Sequence, residues 1–218
     1  MKKILIVGAG GFGREVYYWI LDSQEKYPEW EISGFIDDNK NALEGYKYEV
    51  PVVSSIKDFS PEHNEFLVLG IGIPRVKKNV VRTLQNRGGK FVSFIHHSAI
   101  LGQNVSVGEG SVLCPNTILT CDVTLGSFVT VNCAATAGHD TSIGSFSTLS
   151  GHVDITGFAK IGEAVFLGSH ASVLPGIKVE DYATIGAGSV VVNKVKKGNT
   201  VFGNPAKVIF ESQQDEKE

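Results

Sequence analysis

The chain is short of cysteine. Its 218 residues include Cys114, Cys121 and Cys133, an odd number without CxxC spacing, so neither a disulfide framework nor a thiolate zinc site organises it. All three are expected to be buried thiols. Long runs of one charge are also missing. Twenty Lys and Arg against 23 Asp and Glu leave a formal net charge of -3, which offers no electrostatic footprint to a nucleic-acid backbone or an anionic membrane. Nor is there a long apolar run. The stretch Ile4 to Val7, behind Lys2-Lys3, is cut off by glycines from Gly8 onward, too early for a leader or a span. A cytoplasmic protein that binds neither nucleic acid nor membrane is therefore expected. What the chain does have is 42% hydrophobic residues, enough for one large or two modest domains that each bury a core.

The first part reads as alternating strands and helices. Lys2 to Val7 is a β-rich run, Gly8-Ala9-Gly10-Gly11-Phe12-Gly13 follows it directly, and Arg14 to Leu21 has helical character. A strand, a glycine turn and a helix open a phosphate-binding βα unit, because the glycines admit a close backbone and the helix start offers free N–H groups to an anion. Trp30 to Ile36 is a second strand ending at Asp37-Asp38, an acidic pair that can accept hydrogen bonds from ribose or sugar hydroxyls. Glu65 to Gly70 supplies a third strand, Arg75 to Arg87 a second helix and Lys90 to Ile95 a fourth strand, which together predict a small Rossmann-like parallel sheet. Gly8, Gly10 and Gly13 fit GxGxxG, so NAD binding is a rival reading. Against it, residues 1–95 hold about one mononucleotide-binding half and not the pair that a dinucleotide spans. A nucleotide-activated small molecule fits better.

The second part, residues 96–218, is governed by a period of six. Leu101, Val107, Leu113, Leu119, Leu125, Val131, Ala137, Ile143, Leu149, Ile155, Ile161, Leu167, Val173, Val179, Ile185 and Val191 stand six apart, and fifteen of these sixteen are Ile, Leu or Val. Glycine often follows, and a small or β-branched residue stands four places on, as at Ser111, Thr117, Ala159 and Ala183. Six residues are too few for a helical repeat. They suit one short flat strand and a corner, with an aliphatic and a small side chain turned inward. Three such faces close a triangular parallel β-helix whose aliphatic side chains stack on those eighteen residues away, and the frame is expected to run from Leu101 to Val195 without insertion.

With both parts read, the chain resembles the bacterial nucleotide-sugar N-acetyltransferases and sialic acid O-acetyltransferases, in which a small Rossmann-like domain precedes a left-handed β-helix of hexapeptide repeats. Carrying the resemblance are Val7 to Gly13, Gly34-Phe35-Ile36-Asp37-Asp38, Gly70-Ile71-Gly72 with the basic helix after it, Ile95 to Ala99, the hexads and the terminal Gly203-Asn204-Pro205-Ala206-Lys207. The resemblance implies a homotrimer with acetyl-CoA along the rod between two subunits, no metal, and a histidine followed by an acidic residue at a coil corner. Here that pair is His139-Asp140, with His139 as general base and Asp140 orienting it. It further implies that Gly10, Gly11, Phe12, Asp37, Asp38 and Gly72 hold the nucleotide-sugar, with Phe12 standing where a histidine is usual. Thr148, which replaces a histidine of some members near the acetyl group, Gly157, Ser169, Ala187 and Lys207 are implied to meet the coenzyme. The expected activity is transfer of acetyl to the amino group of a nucleotide-linked amino sugar in surface-glycan biosynthesis. The alternatives are O-acetylation of a sialic acid or other sugar hydroxyl, an NAD-binding protein, and a non-catalytic scaffold.

Other groups have local readings. Cys121 lies eighteen residues before His139, in the same column, where a thiol nucleophile with a histidine base is conceivable. His152 and His170 are also eighteen apart and should stack at one corner, without a third ligand for a metal. His96 and His97 fall where the domains join and are expected to pack there. Lys77-Lys78 is expected on a solvated helix face, and the charged end from Gln213 to Glu218 is expected to fray.

Overall fold

The computed structural model describes residues 1–212; the end read above as frayed, Gln213 to Glu218, lies outside the described residues. The first domain is built from β1 (Lys2–Val7), α1 (Gly11–Asp22), β2 (Trp30–Ile36), β3 (Val52–Ser54), β4 (Glu65–Leu69) and α2 (Pro74–Asn86). Its strands lie in the order β3-β2-β1-β4, all parallel. Ile4 to Val7 and Leu67 to Leu69 are buried from both faces, which explains their unbroken apolar character. The order reverses direction at β1, so the crevice between the ends of β1 and β4 is the switch point at which open α/β sheets take ligands.

Two details differ from the sequence reading. β3 was not expected: it is three residues long and half-exposed, so it carries little periodic signal. The strand expected at Lys90 to Ile95 divides. Phe91 makes a single bridge to Leu67, whereas Phe94–Ile95 pairs with Val112–Leu113 and opens the second domain.

The second domain is the three-sided parallel coil that the hexads predict. Two-residue rungs stack with a register of eighteen residues, for example Leu125 on Ile143 and Leu149 on Leu167. Each rung turns its second residue inward, and the inward aliphatic side chains from Leu113 to Val191 form one continuous buried column. The first face comprises Phe94–Ile95, Val112–Leu113, Thr130–Val131, Thr148–Leu149, Phe166–Leu167 and Thr184–Ile185, closed by Thr200–Phe202 and an antiparallel Lys207–Phe210. The second face runs from Ile100–Leu101 through Thr136–Ala137 to Val190–Val191, and the third from Ser106–Val107 through Ser142–Ile143 to Lys178–Val179. The N-terminal domain covers the first face: Val112, Thr130 and Thr148 point out of the coil and are buried beneath it.

Corners repeat as strictly as rungs. From Asn104 to Gly188 every sixth residue has a φ of 53° to 71°, a left-handed conformation that costs an ordinary side chain about 1 to 2 kcal/mol. Asn104, Gly110, Asn116 and Asp122 suit that geometry, but Phe128, Phe146, His152, Phe158, His170 and Tyr182 occupy it too. The stacked coils hold them there. The frame ends earlier than expected. Val195 bridges to Val179 and Val201 pairs with Ile185, each sixteen residues on, so the last coil is two residues shorter and Val191 closes the regular series.

Candidate active site

His139 and Asp140 form the corner between Thr136–Ala137 on the second face and Ser142–Ile143 on the third. Asp140 holds the left-handed position with a φ of 57°, and its Oδ2 lies 2.9 Å from Nδ1 of His139. A carboxylate on Nδ1 favours the tautomer with the proton there and leaves Nε2 as the basic atom. The ring is half-exposed and stands edge-on to Phe158, with centroids 4.9 Å apart. Gly157, one coil on, lies directly beneath it: a Cβ at that position would come within 2.6 Å of Nε2 and 2.7 Å of Cε1. Only glycine lets the imidazole occupy this place. Cys121 is in the preceding coil, on the other side of His139 from Gly157; its carbonyl accepts the Asp140 amide at 3.2 Å, and its side chain is exposed, contrary to the expectation of a buried thiol. Cys114 is buried as expected, and Cys133 is partly so.

The crevice of the N-terminal domain is shaped by two kinds of glycine. Gly8, Gly13 and Gly70 pack against one another's backbone, so that a Cβ at Gly70 would lie 2.7 Å from Cα of Gly13. Gly10, Gly11 and Gly72 have nothing within 4 Å of where a Cβ would be, and they line open space. Asp37 is committed to shaping this loop: Oδ2 accepts the Ala9 amide at 2.8 Å and Oδ1 the Asn39 amide at 2.8 Å. Asp38 accepts the Ile56 amide at 3.0 Å and is otherwise exposed. The Phe12 ring turns along α1 and meets Trp19 edge-on, with centroids 6.1 Å apart.

The residues expected to meet the coenzyme are not together on one edge. Gly157 lies at the corner of the second and third faces, under His139. Ser169 and Ala187 are exposed at the corner of the first and second faces, one coil apart, beside His152 and His170. Those two imidazoles stack as expected, 4.7 Å apart and 2° from parallel. Lys207 is exposed in the antiparallel strand at the far end of the first face. Thr148 is elsewhere: buried under the N-terminal domain, its hydroxyl donates to the Gly72 carbonyl at 2.6 Å and accepts from Nζ of Lys77 at 2.8 Å.

Lys77 and Lys78 are not on a solvated face. Lys78 reaches across to Glu163 and to the Tyr182 hydroxyl at the corner of the third and first faces. Lys77 is wholly buried and donates to the Thr130 and Thr148 hydroxyls and to the Ser147 carbonyl. Burial with no carboxylate at hand pushes its amine well below the usual lysine range. Its side-chain partners lie 53 to 71 residues away in the chain, so no local pattern announces it. At the opposite corner of the first face His96 is buried, with Nε2 3.0 Å from Asp22 Oδ2 and Nδ1 2.7 Å from Ser98 Oγ. Desolvation holds its pKa below the ordinary value, against the opposing pull of Asp22. The ring of His97, half-exposed, lies tilted against it with centroids 4.2 Å apart, so both sit at the domain junction as expected.

A parallel sheet with a glycine crevice, joined to a triangular hexapeptide coil with an acid-oriented histidine at one corner, defines a two-part class. The family of PglD N-terminal domains matches residues 3–84, and that of bacterial transferase hexapeptides (six repeats) matches residues 158–193. The chain therefore joins a parallel-sheet N-terminal domain, similar to PglD N-terminal domains, to a left-handed β-helix of hexapeptide repeats, the fold that the sequence predicts.

Among individual proteins, the chain is similar to the acetyltransferase domain of PglB from Neisseria gonorrhoeae FA1090, with a TM-score of 0.85 and 27% identity over 96% of this chain and 100% of that one. The same domain in complex with acetyl coenzyme A gives a TM-score of 0.84 and 28% identity, covering 95% and 99% of the two chains. PerB from Caulobacter crescentus, in complex with CoA and GDP-perosamine, gives 0.84 and 25%, covering 95% and 97%. UDP-N-acetylbacillosamine N-acetyltransferase from Bacillus subtilis (strain 168) is 28% identical over 117 residues. That match takes in 52% of this chain and spans about half the relative's length, 51%. No helix among the described residues is long and apolar enough to cross a membrane.

Proposed function

We propose that this chain is an acetyltransferase that moves acetyl from acetyl-CoA to the amino group of a nucleotide-linked amino sugar, with His139 as general base. The observation that carries the reading is the His139-Asp140 corner, where a carboxylate occupies Nδ1 and leaves Nε2 as the free nitrogen of a half-exposed ring. In the reaction Nε2 accepts a proton from the attacking amine as nitrogen bonds to the acetyl carbonyl. Collapse of the tetrahedral species then breaks the carbon–sulfur bond and releases coenzyme A. Support for both substrates comes from the similar PglB domain and PerB, whose structures hold acetyl coenzyme A in one case and CoA with GDP-perosamine in the other.

The active unit is more than one copy. In a triangular coil the corner between the second and third faces is the edge opposite the first face, and the first face carries the acceptor crevice. His139 of one chain thus stands away from its own crevice, and a neighbouring copy must bring base and acceptor together. A closed three-fold assembly does so for every copy. Gly10, Gly11, Phe12, Asp37, Asp38 and Gly72 would then hold the nucleotide-sugar. Ser169 and Ala187 on one edge, and Gly157 on the other, would border the coenzyme.

Release of coenzyme A thiol is the decisive assay, run with UDP-, dTDP-, GDP- and CMP-linked amino sugars and with free sialic acid. Wild-type protein should release thiol with at least one nucleotide-linked amine, and His139→Ala should lower turnover by a factor of roughly 10² to 10⁴ with little change in coenzyme affinity. Release only with a hydroxyl acceptor would replace N- by O-acetylation. Undiminished turnover in His139→Ala, or a strictly monomeric active enzyme by light scattering, would overturn the catalytic assignment or the assembly respectively.

A further inference from the structure

Resting on the reading above, we propose that Lys77 is a positioning residue for acceptor binding: through Thr148 it fixes the Gly70–Ile73 loop, one wall of the crevice, at a set height above the rod. Three observations meet here. The Gly70 amide is bonded to Val7, and the Ile73 carbonyl accepts the Lys77 amide at 2.9 Å. Between those two points the Thr148 hydroxyl, donating to Gly72 at 2.6 Å, makes the one hydrogen bond to the loop among the described residues. Gly72 itself faces open space in the crevice, so a shift of this loop changes the shape of the site directly.

The orientation of Thr148 is in turn set by Lys77. A hydroxyl has one proton. Nζ donates to its oxygen at 2.8 Å, which keeps the hydroxyl proton from turning toward Lys77 and leaves it for Gly72. Nζ also donates to Thr130 Oγ1 at 3.1 Å and to the Ser147 carbonyl at 2.9 Å. An ammonium gives its three protons to these three partners, and a neutral amine gives two and accepts from the Thr130 hydroxyl on its lone pair, so either form is fully used. Lys77 therefore has no donor to offer a bound acetyl group, which separates a positioning role from a catalytic one. An aliphatic side chain would fill the same interface without the cost of burying an amine. What it would not do is hold Thr148 in one rotamer.

Five proteins test this: wild type, Lys77→Met, Thr148→Val, Thr148→Ser and the double variant Lys77→Met/Thr148→Val. Val keeps the shape of Thr148 without the hydroxyl, and Ser keeps the hydroxyl. Steady-state kinetics should show the acceptor KM raised about tenfold in Lys77→Met and in Thr148→Val, near wild type in Thr148→Ser, with the acetyl-CoA KM within about twofold in all. The double variant Lys77→Met/Thr148→Val should be no worse than either single one, because both remove the same tether. Backbone hydrogen exchange at the Gly70 and Lys77 amides, the bonded amides that anchor the two ends of the loop, should quicken in the same two single variants when measured without any substrate. Should the wild type transfer no acetyl, the proposed function fails and exchange alone decides the tether. Should Lys77→Met not fold, Thr148→Val decides by the same measures. An unchanged acceptor KM and unchanged exchange in folded Thr148→Val would overturn the proposal, as would equal rises in both KM values.

Discussion

Replacing Gly157 by alanine adds one methyl group beneath the imidazole of His139, and the structure gives its position. The new Cβ would lie 2.6 Å from Nε2, 2.7 Å from Cε1 and 3.1 Å from Cδ2. Carbon and its neighbours prefer roughly 3.5 Å or more, so the ring edge must retreat by about 0.8 Å. The backbone will not object: Gly157 is absent from the positive-φ corners, since the left-handed residue of that turn is Phe158. The substitution therefore moves the nitrogen proposed as the base and little else. Retreat of the ring also strains the bond from Nδ1 to Asp140, now 2.9 Å, so position and basicity suffer together. A displacement of about 1 Å at the reacting atoms costs up to about a hundredfold in rate. We expect kcat for thiol release, at saturating acceptor and acetyl-CoA, to fall between about tenfold and a hundredfold, with the thermal midpoint within a few degrees of wild type. A well-folded Gly157→Ala protein with kcat within twofold of wild type would show that the ring in this position is not the one that takes the proton.

Two further predictions concern stability. Leu149 is fully buried in the aliphatic column, stacked between Val131 and Leu167, and Leu149→Ala should lower the unfolding free energy in denaturant by about 2 to 5 kcal/mol. His96 is buried, and desolvation depresses its folded-state pKa, so the unfolded chain binds the proton more readily. Its contribution is thus present above the ordinary histidine pKa and is lost as pH falls through that value toward the lower folded one. Thermal melts of wild type should drop over this acid window more steeply than those of His96→Gln, and parallel curves would refute the linkage.

The parts of the protein that were legible in its sequence are those in which cause and residue lie close together. Each rung buries one side chain on a neighbour eighteen residues away, so the aliphatic period of six is imposed locally and survives over the regular coils. Corner residues follow the same period, yet they escaped notice. Asn104, Gly110, Asn116 and Asp122 announce the left-handed turn, but from Phe128 onward bulky residues appear, because stacking against the next coil tolerates what an isolated turn would not. Phe128 and Phe146 stack at 5.1 Å along the corner next to α2, so their strain is offset by contacts that no single hexad shows. His139-Asp140 was legible as adjacent residues whose bond is between neighbours.

Lys77 was not legible, because a basic pair on an amphipathic helix looks solvated until the helix is laid on the first face, and the acceptors that bury the amine come from two different rungs. The same limit governs the site as a whole. Sequence separates the glycine crevice from the His139-Asp140 pair but says nothing of which edge each occupies, and the structure places the crevice on the first face and His139 on the edge opposite. The shift of Thr148 from expected coenzyme contact to domain tether follows from the same geometry. Its rung lies on the covered face, so its hydroxyl reaches the Gly70–Ile73 loop of its own chain, and under the proposed function the base for an acceptor held there would come from a neighbouring copy.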